Sequence, residues 1–213
     1  MPSVNLKEYV YNAILDDIYS MKLQPGDILN EKALVERFGC SKSPVREALL
    51  TLCNEKVLRN IPRYGYEVVR LTIQDIRKMM ELRMILETGF LGRNYKKFTD
   101  EQIDMLEEIN KNCMDKTLDV MTHWKYNMDF HLRMMSLCGN DYATETLRNC
   151  LMYQTRAYIQ SYWGRDANVN FTLDTRNHEK ILKALREKDY EKLMEAIVLD
   201  YQDFGGVEAF SFR

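Results

Sequence analysis

The sequence predicts a mainly α-helical protein, with an N-terminal winged helix-turn-helix over residues 1–71 and a C-terminal all-helical bundle of six to seven helices over residues 72–213. Apolar residues recur at spacings of three and four through most of the chain, which is typical of amphipathic helices. Residues 60–71 depart from that spacing, and the sequence around Tyr64 and Gly65 indicates a β-hairpin. Three helices followed by a hairpin are the pattern of a winged helix-turn-helix.

The N-terminal elements are separated by turn residues. A first helix is expected over residues 6–20, and the segment 23–27 contains a Pro-Gly turn. Asn30 begins a second, short helix, and Gly39 is expected to end it with a left-handed cap. Ser43 is expected to cap the third helix, with a proline at its first position. The hairpin follows that helix.

The C-terminal half contains no convincing strand. Thr72 and Thr99 stand three residues before Asp and Gln respectively, a spacing typical of capped helix starts. The helices after the first two are expected at about 118–138, 142–162, 173–187 and 190–204, with a polar loop at 164–170. Glycines at 139 and 205–206 are expected to end helices.

The size and composition are those of a globular chain. Its 213 residues are 46% hydrophobic and 29% charged, which is enough apolar mass for a buried core. Five cysteines without CxxC spacing indicate buried thiols in a reducing compartment. No apolar run resembles a signal peptide or a membrane span. We therefore expect a cytoplasmic protein.

Positive charge is concentrated in residues 32–70, which contain eight Lys or Arg against four Asp or Glu, although the whole chain has a formal net charge of -2. Within this window, residues 41–46 place two serines, Lys42 and Arg46 at an expected helix start. Hydroxyls and free backbone N–H groups at such a start attract anions, and recognition helices offer their first residues to DNA. The alternative is that Lys42 and Arg46 are solvated surface charges.

The first 70 residues resemble the N-terminal domain of the GntR family of bacterial transcription regulators. The matching segments are LQPGDILNE (23–31), SKSPVREAL (41–49) and PRYG (62–65), together with Leu34, Gly39 and Leu52. By this resemblance, the residues that contact DNA are Lys32, Ser41, Lys42, Ser43 and Arg46 from the helices, and Arg63, Tyr64 and Gly65 from the wing.

The two cations of the third helix are expected to differ in what they contact. Arg46, one turn into the helix, can form two hydrogen bonds with a guanine edge in the major groove. Lys42 stands where relatives commonly have Arg, and its ammonium group lacks the planar fork of a guanidinium. We expect Lys42 to contact phosphate or a single guanine acceptor.

The remainder of the chain resembles the FCD ligand-binding domain of the FadR subgroup. The resemblance includes NMDFHL (127–132) and HEKILKAL (178–185). In that subgroup an Asp and three His residues bind a divalent metal, and the corresponding positions here are Asn127, His131, His178 and Asp200. Asn replaces the usual Asp, and Asp replaces the usual third His.

Residue spacing alone also indicates a polar site in this half. Asn127 and His131 are four residues apart and share a helix face, and Asp200 follows His178 by about two antiparallel helix lengths. This set of donors suits Zn, Ni, Mn or Fe. The alternative is a hydrogen-bonded polar core without a metal.

His123 lies one turn before Asn127 on the same expected helix. It is either an alternative metal ligand or, as we expect, a surface histidine beside Trp124.

In relatives the effector is usually a small organic acid or an acyl compound, held by the metal or by arginine side chains. The resemblance makes Arg83 a candidate for binding an effector carboxylate, since guanidinium groups bind carboxylates through two hydrogen bonds. Tyr153, Arg156 and Arg176 are further candidates because they lie on helices bordering the middle of the bundle. Each arginine could instead form an internal ion pair, for example Arg83 with Glu87.

Together these patterns predict a ligand-responsive transcription regulator that binds a palindromic operator as a homodimer, in such families more often as a repressor. No HExxH, GxSxG or P-loop motif accompanies the His/Asp positions, so a metal-dependent enzyme is not favoured. A DNA-binding architectural protein without a ligand or metal is the other alternative.

Overall fold

The computed structural model describes residues 5–115, 118, 120–162 and 175–202. The chain forms two compact units, Met1–Thr72 with Arg156–Trp163, and Ile73–Thr155 with Gly164–Arg213. The described residues contain nine α-helices and one three-stranded sheet, which confirms the predicted mainly α class. None of these helices is both long enough and apolar enough to cross a membrane.

The first unit contains a winged helix-turn-helix. Its elements are α1 (Leu6–Tyr19), β1 (Ile28–Leu29), α2 (Glu31–Phe38), α3 (Lys42–Asn54), β2 (Leu58–Ile61) and β3 (Gly65–Val68). The antiparallel strands have the order β1-β3-β2, and Leu29 lies opposite Tyr66. Strand β1 was not predicted, because a strand of two residues is too short to show alternation.

The core of this unit fixes the orientation of α3. Val45, Leu49 and Leu52 line one face of the helix and are completely buried against α1 and the sheet. Burial of an aliphatic side chain of this kind contributes about 1.5–3 kcal/mol. The opposite face of α3 is therefore exposed, and it carries Lys42 and Arg46.

The starts of α2 and α3 differ in their capping. Asn30 caps α2 by accepting hydrogen bonds from two backbone N–H groups, at 2.9 and 3.4 Å, and Gly39 ends the helix with φ 59° as expected. The predicted cap of α3 is wrong by two residues. Ser41 occupies that position, whereas Ser43 lies in the first turn and donates its hydroxyl to Glu47 at 2.9 Å.

The wing is the hairpin of β2 and β3. Its turn spans residues 62–64, whereas the sequence suggested a turn at Tyr64–Gly65; Gly65 instead begins β3. Arg63 takes the left-handed conformation at φ 70°. Gly65 is required at its position, because a Cβ atom there would lie 2.4 Å from the carbonyl oxygen of Leu29.

The second unit is helical. Its elements are α4 (Ile73–Asn94), a 3-10 turn (Tyr95–Lys97), α5 (Asp100–Cys113), α6 (Val120–Ser136), α7 (Asp141–Tyr162), α8 (His178–Glu187) and α9 (Tyr190–Gln202), although α7 from Arg156 onward belongs to the first unit. Helix α9 packs against α4 and α8, and α5 packs against α6 and α8. The inward faces of α4, α6, α8 and α9 therefore surround one interior.

Two expected helix starts have different outcomes here. The capping box before α5 is confirmed, since Thr99 accepts from the N–H of Gln102 and the Gln102 side chain accepts from the N–H of Thr99. Helix α8 begins at His178 and not near residue 173, because Thr175–Asn177 form a turn. The expected loop at 164–170 and the glycines at 205–206 lie outside the described residues.

Candidate functional site

The interior of the second unit contains a cluster of buried ionisable side chains from three helices. His131 of α6, His178 of α8 and Asp200 of α9 each offer a ligand atom, and these atoms all lie within 4.8 Å of one another. All three side chains are buried. Residues that are 47 and 22 positions apart in the sequence thus meet at one point.

Hydrogen bonds at the far nitrogens orient both imidazole rings. Nδ1 of His131 lies 2.9 Å from Oε2 of Glu87, and Nδ1 of His178 lies 2.9 Å from Oδ1 of Asn110. Since oxygen atoms accept at Nδ1, each neutral ring carries its proton there and presents an unprotonated Nε2 to Asp200. The ring of His178 is also stacked on Phe130 with centroids 4.0 Å apart.

Charge in the cluster follows from burial and neighbours. Burial lowers the pKa of His178 to about 3, so this ring is neutral near pH 7. Burial alone would also lower the pKa of His131, but attraction to Glu87 outweighs it and raises that pKa above its ordinary value. For Asp200, burial opposes ionisation, yet pairing with His131 lowers its pKa and the carboxylate stays charged.

Three polar atoms of the cluster lack a hydrogen-bond partner among the described residues. They are Nε2 of His131, Nε2 of His178 and Oδ1 of Asp200. Buried polar atoms are rarely left unsatisfied, and two lone-pair nitrogens facing a carboxylate suit a borderline divalent cation. The donor set, with its Nδ1 atoms held by oxygen acceptors, fits a metal ion of that kind.

Asn127 and His123 lie on α6 on the N-terminal side of His131. Asn127 is buried one turn before His131, on the same helix face. The expectation of a surface His123 is wrong, because His123 and Trp124 are 2% and 3% exposed. Both side chains at this end of α6 therefore belong to the interior.

Arg83 of α4 is in contact with the cluster. Its Nε donates to Oε1 of Glu87 at 2.8 Å, which is the internal ion pair left open by the sequence. One terminal nitrogen donates to Oε1 of Gln154 at 2.9 Å, and the other lies 3.7 Å from Oδ2 of Asp200. Arg83 therefore forms an internal pair and also borders the candidate metal position.

The other three effector candidates have different surroundings. Tyr153 is half-buried on α7, and Arg176 is exposed in the turn before α8. Arg156 belongs to the first unit, where it donates to the backbone carbonyls of Lys56 and Glu55. The contact between Arg83 and Asp200 places this candidate beside the His/Asp cluster.

Sequence reasoning did not place Gln154, Asn110 or Tyr201 at this cluster. The Tyr201 hydroxyl donates to Oε1 of Glu87 at 3.2 Å, and its ring lies under the Arg83 guanidinium. The adjacency of Tyr201 to Asp200 is the one signal that could have suggested it. Asn110 and Gln154 reach the cluster from helices whose relative rotation the sequence does not reveal.

The first unit has an open groove of about 690 Å³ between α2, the start of α3 and the wing. Most of the predicted DNA-contact residues line it, namely Lys32, Lys42, Arg46, Arg63, Tyr64 and Gly65. Ser41 and Ser43 are exposed at the start of α3. The groove thus collects cations, and hydroxyls stand at the adjoining helix N-terminus, an arrangement that suits phosphate groups.

Lys42 is not a free cation in this groove. Its ammonium group lies 3.2 Å from Oε1 of Glu31, the first residue of α2. Lys32 also has a carboxylate neighbour, Glu36, at 4.0 Å, but both side chains of that pair are strongly exposed. The sequence window of net positive charge did not reveal that Glu31 turns toward Lys42.

A winged helix-turn-helix with cations along the recognition helix, in one chain with a helical unit that encloses a polar cluster, defines a DNA-binding regulator. Residues 6–68 match the family described as bacterial regulatory proteins, gntR family, and residues 78–202 match the FCD domain. The chain therefore belongs to the GntR family of transcription regulators and carries an FCD domain. It is not an enzyme.

Curated relatives and solved structures agree with this assignment. The gluconate operon transcriptional repressor of Bacillus licheniformis is 26% identical over 195 residues, which cover 89% of this chain and 79% of the repressor. The HTH-type transcriptional repressor RspR of Escherichia coli K12 is 22% identical over 210 residues, 95% of this chain and 88% of RspR. The structure of E. coli McbR/YncC has the same fold, with a TM-score of 0.76, 21% identity and coverage of 93% and 94% of the two chains.

Proposed function

We propose that this transcription regulator is a cytoplasmic repressor of the FadR subgroup that binds a palindromic operator as a homodimer. A small organic acid that binds in the FCD domain, next to a divalent metal, controls its affinity for DNA. We call the FCD domain, residues 78–202, the sensing half. The observation that supports its proposed role is the convergence of three unpartnered ligand atoms, on His131, His178 and Asp200. Two recognition helices of a symmetric dimer would contact the two half-sites of a palindrome.

We call the winged helix-turn-helix, residues 6–68, the reading half. Its helix α3 would enter the major groove. The exposed guanidinium of Arg46 contacts a guanine edge. The hydroxyl of Ser41 contacts a phosphate, and that of Ser43 does so by exchanging its bond to Glu47 for one to DNA. Lys42 is paired with Glu31, and its single ammonium group contacts a phosphate or one guanine acceptor.

Lys32 and the wing complete this contact surface. Lys32 at the start of α2 contacts the DNA backbone. In the wing, Arg63, Tyr64 and Gly65 approach the minor groove, and the Tyr64 side chain is 73% exposed at the tip.

In the sensing half, His131, His178 and Asp200 would hold Zn, Ni, Mn or Fe, and Asn127 could supply a fourth, weaker oxygen ligand. The bound ion would act as a Lewis acid that accepts an effector carboxylate. Arg83 and Glu87 form an ion pair beside this position. Glu87 also orients the ring of His131 through Nδ1.

Charge balance supports an anionic effector. A metal bound at Nε2 displaces any proton from His131, so both histidines are counted as neutral; Arg83 contributes one positive charge, and Glu87 and Asp200 contribute one negative charge each. The set is then net negative by one charge, and a divalent cation makes it net positive by one. A monocarboxylate would neutralise it, and buried charge is most stable when it is compensated. Tyr153, Arg156 and Arg176 remain effector-contact candidates from the sequence, and Arg83 borders this charge.

Sugar acids are the first effector class to test, because one relative is a repressor of the gluconate operon. Binding of the acid would shift the population between arrangements that do and do not match the two half-sites. The competing proposal is a DNA-binding regulator or architectural protein without metal or ligand, with a polar core that serves stability alone.

A thermal-shift screen tests the sensing half. The full chain is stripped of metal, and carboxylates and sugar acids, gluconate included, are added with and without Zn²⁺, Ni²⁺ or Mn²⁺. The proposal predicts a concentration-dependent rise in Tm with the metal and a further rise with one acid class. An unchanged Tm under every condition would favour the ligand-free alternative. Selection of duplexes from random-sequence DNA tests the reading half, and a palindromic consensus is the expected result.

A further inference from the structure

The last turns of α7 belong to the same compact unit as the winged helix-turn-helix. The buried side chain of Arg156 donates to the carbonyl oxygen of Lys56 at 2.9 Å and to that of Glu55 at 3.5 Å. Glu55 is the C-cap residue that follows α3, and Lys56 turns the chain away from the helix with φ 56°. A guanidinium of α7 therefore lies at the C-terminal end of the recognition helix and donates to the carbonyls of its C-cap residue and of the residue after it.

This position is electrostatically favourable. The last carbonyl groups of a helix carry partial negative charge and lack partners within the helix. A cation that donates to them satisfies the carbonyls and interacts with the helix dipole. The Glu55 carboxylate also accepts a hydrogen bond from the hydroxyl of Tyr11 on α1, at 2.7 Å. The end of α3 is thus held from two directions.

A second side chain of α7 holds the other end of the wing. The Gln160 amide donates to the carbonyl oxygen of Val69 at 2.9 Å, and its oxygen accepts from the N–H of Leu71 at 2.9 Å. These backbone groups lie one and three residues after the end of β3. The N–H of Val69 also donates to the carbonyl of Val57 at 3.0 Å, which joins the segments before β2 and after β3.

Arg156 and Gln160 are four residues apart, so they share one face of α7. One binds the backbone just before β2, and the other binds the backbone just after β3. The wing hairpin therefore has both of its ends, and the recognition helix has its C-terminal end, hydrogen-bonded to a single helix face. All the hydrogen bonds concerned are side chain to backbone, so their geometry constrains backbone position directly.

We infer that Arg156 and Gln160 are positioning residues for DNA binding, which set the orientation of α3 relative to the wing. This inference rests on the proposed operator binding by α3 and the wing. It also assigns Arg156 a role other than effector contact, because its guanidinium is engaged with the α3 end. Neither residue touches DNA in this account, and the effect of each passes through the backbone it holds.

The test uses the full chain and a duplex recovered by selection with the wild-type protein, with a scrambled duplex for comparison. The variants are Arg156→Met, Arg156→Lys and Gln160→Leu. The matched control is Arg148→Met, an exposed arginine of the same helix that pairs with Glu145. Fluorescence anisotropy gives the Kd for each duplex, and circular dichroism checks folding.

We expect Arg156→Met to weaken binding of the selected duplex about tenfold, since hydrogen bonds from a charged donor are lost. Gln160→Leu should weaken it about threefold, as a neutral pair of hydrogen bonds is removed. Arg156→Lys, which keeps the charge and a donor, should recover part of the loss. Binding of the scrambled duplex should stay near wild type, because it depends on phosphate charge and not on the orientation of α3.

Folded Arg156→Met and Gln160→Leu proteins that bind the selected duplex like wild type and Arg148→Met would overturn the inference and leave the proposed function intact. If Arg156→Met does not fold, Arg156→Lys and Gln160→Leu decide the question by the same comparison. An equal loss on both duplexes would indicate general destabilisation and would also contradict positioning. A wild-type protein that enriches no sequence would overturn the proposed function itself.

Discussion

Nε2 of His131 lies 3.3 Å from Oδ2 of Asp200, and both side chains are buried in the second unit. Two species can stand between such atoms, a proton on the imidazole or a metal ion. A proton on His131 would pair it with Asp200, but Nε2 of His178 and Oδ1 of Asp200 would still lack partners. A metal ion satisfies all three atoms at once, and this difference favours the metal.

Glu87→Gln should weaken metal binding although Glu87 is not a ligand. The carboxylate accepts from Arg83 and holds Nδ1 of His131 at 2.9 Å. Replacement of such an outer partner typically costs 10- to 100-fold, here taken as roughly 30-fold, in metal affinity. The measurement is competition for Zn²⁺ with a chromophoric chelator. Glu179→Gln, at an exposed position of α8, is the control and should match wild type.

Arg46→Ala should lower affinity for the selected operator by about 1–3 kcal/mol and relax the base preference at one position of each half-site. The physical reason is the loss of a base contact in the major groove. Anisotropy titrations with single-base operator variants measure both effects. Normal operator binding by this variant would mean that α3 is not the recognition helix.

Lys32→Ala should act on all sequences alike. A lost phosphate contact releases one counterion fewer, so the slope of log Kd against log salt should flatten by about one unit per protomer. Titrations at several salt concentrations, with operator and scrambled duplexes, give the slope. A change in base preference without a change in slope would contradict the assignment of Lys32 to the backbone.

Thr99→Ala should destabilise the second unit by about 1 kcal/mol, because it removes the capping box at the start of α5. The Tm of the corresponding transition should fall by about 2–4 °C. Thr146→Ala is the control, since its hydroxyl donates to the carbonyl of Tyr142 inside α7 and such bonds add little stability. Equal shifts for both variants would show that the box is not the cause.

Cys138 and Cys150 should resist alkylation in the folded protein. Burial raises the pKa of each thiol to about 11, so little reactive thiolate exists at pH 8. Mass spectrometry after brief iodoacetamide treatment should find both thiols largely unmodified in the native protein and modified in urea. Rapid native labelling at either position would contradict the packing around α6 and α7.

The helices could be predicted from the sequence because apolar residues recur along each of them at spacings of three and four, and this pattern is visible in a single sequence. The winged helix-turn-helix, the capping box at Thr99 and the turn at Gly39 all depend on local residue patterns. Local patterns failed where two residues compete for a role, as Ser41 and Ser43 do for the cap of α3. They also failed for β1, whose two residues pair with a strand almost 40 positions away.

The candidate metal position could be expected in part. Helical spacing and family resemblance suggested His131, His178 and Asp200, and the structure brings these three together. The surroundings could not be predicted, because Glu87 and Gln154 reach the cluster only through the packing of α4 against other helices. His123 was expected at the surface because it is polar, and a single sequence does not show that a polar side chain is buried.

Calorimetric titration of the metal-stripped full chain with Zn²⁺ measures metal binding at His131, His178 and Asp200 without any other component. The comparison is between wild type and the His131→Ala/His178→Ala double variant, with folding checked by circular dichroism. We expect one ion per wild-type chain and no binding of comparable affinity by the double variant. Equal Zn²⁺ uptake by the two proteins, or none by wild type, would contradict this expectation.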